Sequence, residues 1–225
     1  MIAAGPFTSR GDLLYDGLQE LMSKVRQEGP HVLLLMGPFV DGMNEDVQSG
    51  NISFRNSTGQ LEFMDFGDLF HKVMEYIKSE LAQIRVKTKL VVVPSAREIH
   101  HISPLPQPAF NVDLFPSGME TVLLGNPQMF RVNDITFGLI NADIIKDLCA
   151  STHQRNPVGG KIEESVKSIL QQRTFYPLYP GNQVTPIEWE QYTRMMFPEG
   201  VTPDVLITPS QLKLFAKVSL GKYRN

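Results

Sequence analysis

The sequence predicts an α/β protein built around a parallel β-sheet, and three observations carry that prediction. Residues 2–4, 32–36 and 90–93 are short, wholly apolar runs, the pattern of strands covered on both faces. Each run stops at a proline or a Gly-Pro pair: Gly5-Pro6, Gly37-Pro38 and Pro94. Two stretches with helical spacing lie between the runs, so strand and helix alternate as right-handed crossovers require.

The elements follow in order. Leu14, Leu18, Leu21, Met22 and Val25 recur at helical spacing, and Gly29-Pro30 ends that helix. Residues 42–62 are polar, with scattered Gly, Asn and Ser, and predict a loop. Phe70, Val73, Met74, Ile77, Leu81 and Ile84 give the cleanest amphipathic helix. Pro104, Pro106, Pro108 and Pro116 favour an extended, ordered loop over 102–118. Residues 129–141 alternate in part and predict two strands joined near Asn133-Asp134. Residues 142–149 predict a short helix, 151–160 a loop, and Ile162, Val166, Ile169 and Leu170 another amphipathic helix. Residues 176–186 read as irregular, and 205–207 as a last buried strand ending at Thr208-Pro209. There is no internal repeat, low-complexity tract or linker, so one α/β domain over 1–225 is expected.

Composition narrows the function classes. The chain has 225 residues, 42% hydrophobic and 20% charged, as soluble globular domains do. A formal charge of -3 gives no global basic field for nucleic acid or anionic lipid. Aromatic and basic residues are seldom interleaved, which disfavours a nucleic-acid-binding module. Contact with DNA would need a local patch or a partner. The single cysteine, Cys149, excludes an intrachain disulfide and reads as a reduced thiol in the core. The apolar runs are too short to span a bilayer. The opening Met1-Ile2-Ala3-Ala4 already reads as strand, the mark of a piece of a longer protein.

In open α/β sheets chemistry collects at the carboxyl ends of the strands. The sequence places five segments there: Gly5-Pro6-Phe7, the run from Gly37-Pro38 to Asp41, the run from Pro94-Ser95 to Arg97-Glu98, Phe175-Tyr176-Pro177, and Thr208-Pro209-Ser210-Gln211. Their order and spacing resemble a calcineurin-like metallophosphoesterase. That family supplies Asp-x-His, Gly-Asp-x-x-Asp, Gly-Asn-His-Glu/Asp, a later His and Gly-His-x-His, because two bridged divalent ions need carboxylates, imidazoles and an amide oxygen. Matched by position, most ligands are gone. The first Asp and His fall on Gly5 and Phe7, and the bridging Asp falls on Pro38, while the trailing Asp survives as Asp41. Gly-Asn-His-Glu becomes Ser95-Ala96-Arg97-Glu98, and the last motif becomes Thr208-Pro209-Ser210-Gln211. Proline and phenylalanine offer no side-chain ligand, and a guanidinium repels a cation.

A narrower resemblance rests on longer motifs: AAGPFTS at 3–9, MGPFVD at 36–41, VVVPSAREIHH at 91–101, PLPQPAF at 104–110, FYPLYP at 175–180 and VTPDVLITPSQLKLF at 201–215. Along its whole length the chain resembles the accessory B subunits of eukaryotic DNA polymerase alpha–primase. The resemblance implies a catalytically degenerate calcineurin-like fold, with mixed, layered sheets flanked by helices and no cofactor. It implies a scaffold in the nucleus that grips the zinc-containing C-terminal domain of the polymerase catalytic subunit. Primase would be coupled indirectly, DNA met only through the complex, and membranes not at all. The family adds an N-terminal region, an oligonucleotide-binding-fold domain and further C-terminal strands, so the 225 residues are expected to be a fragment.

Individual residues carry competing readings. Asp41, Glu98, His100 and His101 together suggest a residual metal site. Adjacent residues on an extended chain point to opposite sides, however, so His100 and His101 cannot easily chelate one ion. The structural alternative is that both imidazoles bond carbonyls left unpaired by the loop prolines Pro104, Pro106 and Pro108. Arg97 reads either as an anion contact or as a salt bridge to Asp41 or Glu98 that fills a vacated metal cavity. Gly5 and Gly37 allow close backbone approach. Ser95 and Ser210 have no acid–base frame for nucleophilic catalysis. His31 and His71 read as surface residues. Trp189, Tyr192, Met195, Met196 and Phe197 form an apolar cluster that is either core or a partner-facing surface.

Overall fold

The computed structural model describes residues 1–50, 52–55, 61–153 and 160–213. The last two residues of the 201–215 motif, the terminal 221–225 and parts of the predicted loops at 42–62 and 151–160 lie outside them. Where the sequence reads as one continuous domain, the chain divides into two compact units: Met1–Ser103 with Gln107–Gly125, and Pro104–Pro106 with Asn126–Asn225.

The first unit holds β1 (Ile2–Ala4), α1 (Asp16–Glu28), β2 (Val32–Met36), α2 (Glu45–Ser49), β3 (Ser53–Arg55), β4 (Leu61–Phe63), α3 (Phe66–Ala82), β5 (Lys89–Val93) and β6 (Thr121–Leu123). Strands β1, β2, β5 and β6 form a sheet in the order β1-β2-β5-β6, and every pairing is parallel. Leu34 is opposite both Ile2 and Val91, so the carboxyl ends of β1, β2 and β5 lie level. Leu33 and Leu35 on one face of β2 and Leu34 and Met36 on the other are all buried, which accounts for an unbroken apolar run. Helix α1 buries Leu18, Met22 and Val25 and stops at Gly29, which takes the left-handed conformation at φ 56. Helix α3 starts at Asp65, whose side chain accepts the Asp68 N–H at 2.7 Å, and it buries Leu69, Phe70, Val73, Met74 and Ile77.

Two features of this unit differ from the expectation. The predicted loop at 42–62 contains α2 and the antiparallel pair β3–β4. Helix α2 is nucleated locally, because the Asn44 side chain accepts the N–H groups of Asp46 and Val47. Strand β6 was not expected. Three residues carry no readable period, and its pairing with β5 is a long-range event.

The second unit holds β7 (Gln128–Val132), β8 (Ile135–Leu139), α4 (Ile144–Ser151), α5 (Lys161–Gln172) and β9 (Val205–Ile207). The two strands expected around Asn133-Asp134 are β7 and β8, an antiparallel pair turned at Asn133 with φ 53. Strand β9 adds to β8 in parallel, with Gly138 opposite Leu206. Leu105, Ile140, Ile144, Leu148, Ile169, Phe175, Tyr176, Met195 and Phe197 make a second core. Cys149 is half-buried at its edge, with Sγ 3.5 Å from Ser165 Oγ. Phe175-Tyr176-Pro177, expected at a strand end, follows α5 instead. The helix stops at Arg173 in the left-handed conformation, and the next residues run into the core. Among the described residues no helix is long and apolar enough to cross a membrane.

Candidate functional site

The ends of β1, β2 and β5 bring Gly5, Pro6, Phe7, Gly37, Pro38, Asp41, Ser95, Arg97 and Glu98 into the first unit together. The backbones meet closely. The Gly5 N–H donates to the Met36 carbonyl at 2.8 Å, and the Gly37 N–H to the Val93 carbonyl at 2.9 Å. A Cβ on Gly5 would stand 2.4 Å from the Pro38 carbonyl oxygen, and one on Gly37 would stand 2.6 Å from Glu98 Oε2. Space therefore requires glycine at position 5, and at position 37 for as long as Glu98 keeps its place. The Gly5-Pro6 and Gly37-Pro38 peptides are cis. Phe7 is buried and stacks on Phe39, with ring centroids 5.4 Å apart.

The two acidic side chains are both engaged. Asp41 is buried; its Oδ1 accepts Arg97 Nε at 3.0 Å and the Met43 N–H at 3.0 Å, and its Oδ2 pairs with Arg97 Nη2. Of the two acceptors expected for Arg97, it takes Asp41. Glu98 lies 3% exposed. Its Oε1 and Oε2 accept the Phe39 N–H at 3.1 and 2.9 Å, and Oε1 accepts the Val40 N–H at 2.6 Å. Burial pushes its carboxyl up to about 8, against the pull of those backbone donors. The Gly42 N–H to Arg97 carbonyl bond and the Ile99 N–H to Val40 carbonyl bond, at 2.8 and 3.1 Å, complete a short antiparallel bridge. Ser95 is buried as well, and its Oγ accepts the Arg97 N–H at 3.2 Å.

The two histidines part company. His101 Nε2 lies 3.0 Å from the Pro108 carbonyl, and its ring packs on Phe110 at 4.8 Å, as a loop anchor should. His100 does not follow that expectation. Its ring is wedged against Phe70 at 4.6 Å, and neither nitrogen has a hydrogen-bond partner among the described residues. Its Nδ1 stands 3.8 Å from Glu98 Oε1. Burial first, and the neighbouring His101 second, pull its imidazole down to about 4. Among the described residues no group of three or more His, Cys, Asp or Glu side chains is placed to hold a metal ion.

Two participants were missed in the sequence. Tyr15 donates its hydroxyl to the Phe39 carbonyl at 2.8 Å, and burial with the charges of Glu98 and Asp41 raises its phenol above the ordinary range. Gln107 is 1% exposed and donates to the Ser95 carbonyl at 3.0 Å. A lone amide inside a proline run, as in PLPQP, was the available signal.

The model of the family described as the B subunit of DNA polymerase alpha/epsilon matches residues 1–217. The chain belongs to that family of B subunits. Proteins named as the B subunit of DNA polymerase alpha are similar to it: 32% identical over 225 residues in Mus musculus and 30% over 229 residues in Rattus norvegicus, each covering 98% of this chain and 35% of the relative. The Saccharomyces cerevisiae protein of that name is 27% identical over 257 residues, covering 97% and 35%. The chain thus spans about a third of the length of these relatives.

The other candidate positions of this B-subunit chain lie in its second unit. Thr208 Oγ1 donates to the Ala142 carbonyl at 2.8 Å, Pro209 follows, and Ser210 Oγ accepts the Leu212 N–H at 3.2 Å, so both hydroxyls make local structural bonds. Leu105, between Pro104 and Pro106, is fully buried and exchanges backbone bonds with Pro186 and Glu188 at 2.8 and 2.7 Å. The apolar cluster divides. Met195 and Phe197 are core, Tyr192 is half-buried, and Trp189 and Met196 are exposed.

Proposed function

We propose that this chain is the catalytically silent, calcineurin-like part of a DNA polymerase alpha B subunit, acting as a scaffold in replication initiation. The carrying observation is the state of the parallel strand ends. Glycine, proline and phenylalanine occupy the positions matched to metal ligands. The two remaining carboxylates are engaged by Arg97 and by the amides of Phe39 and Val40. A site so filled serves as a rigid platform rather than a reaction centre. Its partner is the catalytic subunit, through the zinc-containing C-terminal domain, and primase follows indirectly. The chain meets DNA only through the complex, in the nucleus. The alternative, a residual phosphoesterase using Asp41, Glu98, His100 and His101, has in its favour only the approach of His100 to Glu98 at 3.8 Å, since His101 is held by Pro108, Glu98 by backbone amides and Asp41 by Arg97.

The test is co-purification of the chain with the C-terminal domain of the polymerase alpha catalytic subunit, alongside a phosphodiesterase assay in Mn²⁺. Stable co-elution without turnover is expected. Turnover that disappears in Asp41→Ala would overturn the proposal.

A further inference from the structure

The second unit carries an aromatic platform that the strand-end site does not explain. Residues Trp189–Met195 form a 3-10 helix, in which positions three apart eclipse one another. Trp189, Tyr192 and Met195 thus form one row that descends from the surface to the core. Trp189 stacks on Tyr192 with centroids 5.3 Å apart, and Tyr179, 80% exposed, meets Trp189 edge-on at 4.8 Å.

The platform is held in place before anything binds. Tyr192 Oη donates to the Tyr176 carbonyl at 2.8 Å, the Glu188 N–H donates to the Leu105 carbonyl at 2.7 Å, and the Met195 carbonyl accepts the Phe175 N–H at 2.8 Å. Such preorganisation removes part of the ordering cost of binding. Exposed Met196 lies one position beyond the row.

Charge identifies what covers the platform. Glu188 and Glu190 flank Trp189 in sequence, both exposed, and neither makes an ion pair among the described residues. Aromatic faces attract cations, and two free carboxylates reinforce that preference. Stacked aromatics also bind the bases of single-stranded nucleic acid, but such sites line the backbone path with positive charge. Here the charges next to Trp189 are carboxylates, and the one cation of the helix, Arg194, is turned to Gln191 at 2.9 Å.

We infer that the Tyr179–Trp189–Tyr192 platform, with Glu188 and Glu190, docks a basic peptide segment. An arginine or lysine of the partner lies against the rings and pairs with the carboxylates, and an adjacent aliphatic side chain covers Met196. This goes beyond the proposed polymerase role, because it fixes the chemistry of an occupant at a place that role does not specify.

The chain has one tryptophan, so its emission reports on this platform alone. The full chain is titrated with a short, blocked peptide alternating arginine and leucine, with the same peptide carrying glutamate for arginine, and with a thymidine oligonucleotide. Saturable change with the basic peptide only is expected. Exposed ion pairs are individually weak, so E188Q/E190Q lowers affinity about twofold to thirtyfold. Tyr179→Ala lowers it about twofold to fivefold through the lost cation–π contact. Both changes are at exposed positions, and circular dichroism checks that the fold is kept. Absence of saturable change, equal response to the glutamate peptide, tighter binding of the oligonucleotide, or unaltered affinity in E188Q/E190Q overturns the inference.

Discussion

Changing Glu98 to Gln isolates the energetic effect of a buried carboxyl at the strand ends. In the fold its carboxyl titrates at about 8, against 4.5 ordinarily. Between those values the unfolded chain has released a proton that the folded chain keeps, so stability falls as pH rises. His100 acts in the opposite sense. Its folded value of about 4 lies below the ordinary 6.5, so across that interval the unfolded chain binds the extra proton and stability rises with pH. The two slopes cancel between about 4.5 and 6.5, and Glu98 acts alone between about 6.5 and 8. At about 1.4 kcal/mol per pH unit, that interval removes about 2 kcal/mol from the wild-type chain.

Glu98→Gln keeps an acceptor for the Phe39 and Val40 amides and cannot ionise. It costs about 1 kcal/mol at pH 6.5 through an imperfect hydrogen-bond match and then shows no decline toward pH 8. Urea unfolding followed by circular dichroism at several pH values measures both profiles. Wild-type stability that is level or rising from pH 6.5 to 8 would refute the reasoning, as would the same decline in Glu98→Gln.

Two further outcomes are expected. Arg97→Ala strands the buried Asp41 carboxylate and costs roughly 2 kcal/mol, given that Arg97 is itself partly exposed. Adding Asp41→Asn restores more than half of that loss, and a double-mutant cycle in urea measures the coupling. Gly5→Ala drives a Cβ into the Pro38 carbonyl and costs roughly 2–3 kcal/mol. At Gly11, where a Cβ would meet no atom within 4 Å among the described residues beyond its chain neighbours, alanine changes stability by less than about 0.5 kcal/mol, and thermal unfolding compares the two.

Much of this was legible from local pattern. Strands β2 and β5 announce themselves because burial on both faces leaves long apolar runs, and a Gly or Pro marks each end; β1 is apolar as well, although Ile2 and Ala4 are exposed. Helices α1 and α3 show their buried stripe at the period of the helix. What escaped depends on pairing between segments rather than on a period within one. Strand β6 exists through its register with β5, and the β3–β4 pair through its own cross-strand register. At the site, charge balance alone gives Arg97 a carboxylate partner, Asp41 or Glu98, and the fold selects Asp41. The fate of His100 does not follow from charge balance, because a burial site built from Phe70 and Phe110 joins residues from a helix and a loop. The division of the 189–197 cluster into core and surface depends on how the chain runs into the second core at Met195 and Phe197, which no apolar count reveals.

The contact between Gly5 and the Pro38 carbonyl also limits where this chain can move in sequence space. Any residue that brings a functional group to position 5 must first place a Cβ within 2.4 Å of a backbone oxygen on the neighbouring loop. That oxygen cannot turn aside as a side chain can; at position 37 the nearest atom is Glu98 Oε2, a side-chain oxygen held by the Phe39 and Val40 amides. A single substitution that equips either strand end with a ligand therefore arrives in a destabilised protein. Gaining such a group at position 5 requires a compensating shift of the Pro38 backbone. The packing thus tolerates change in the surrounding surface and resists it at the centre.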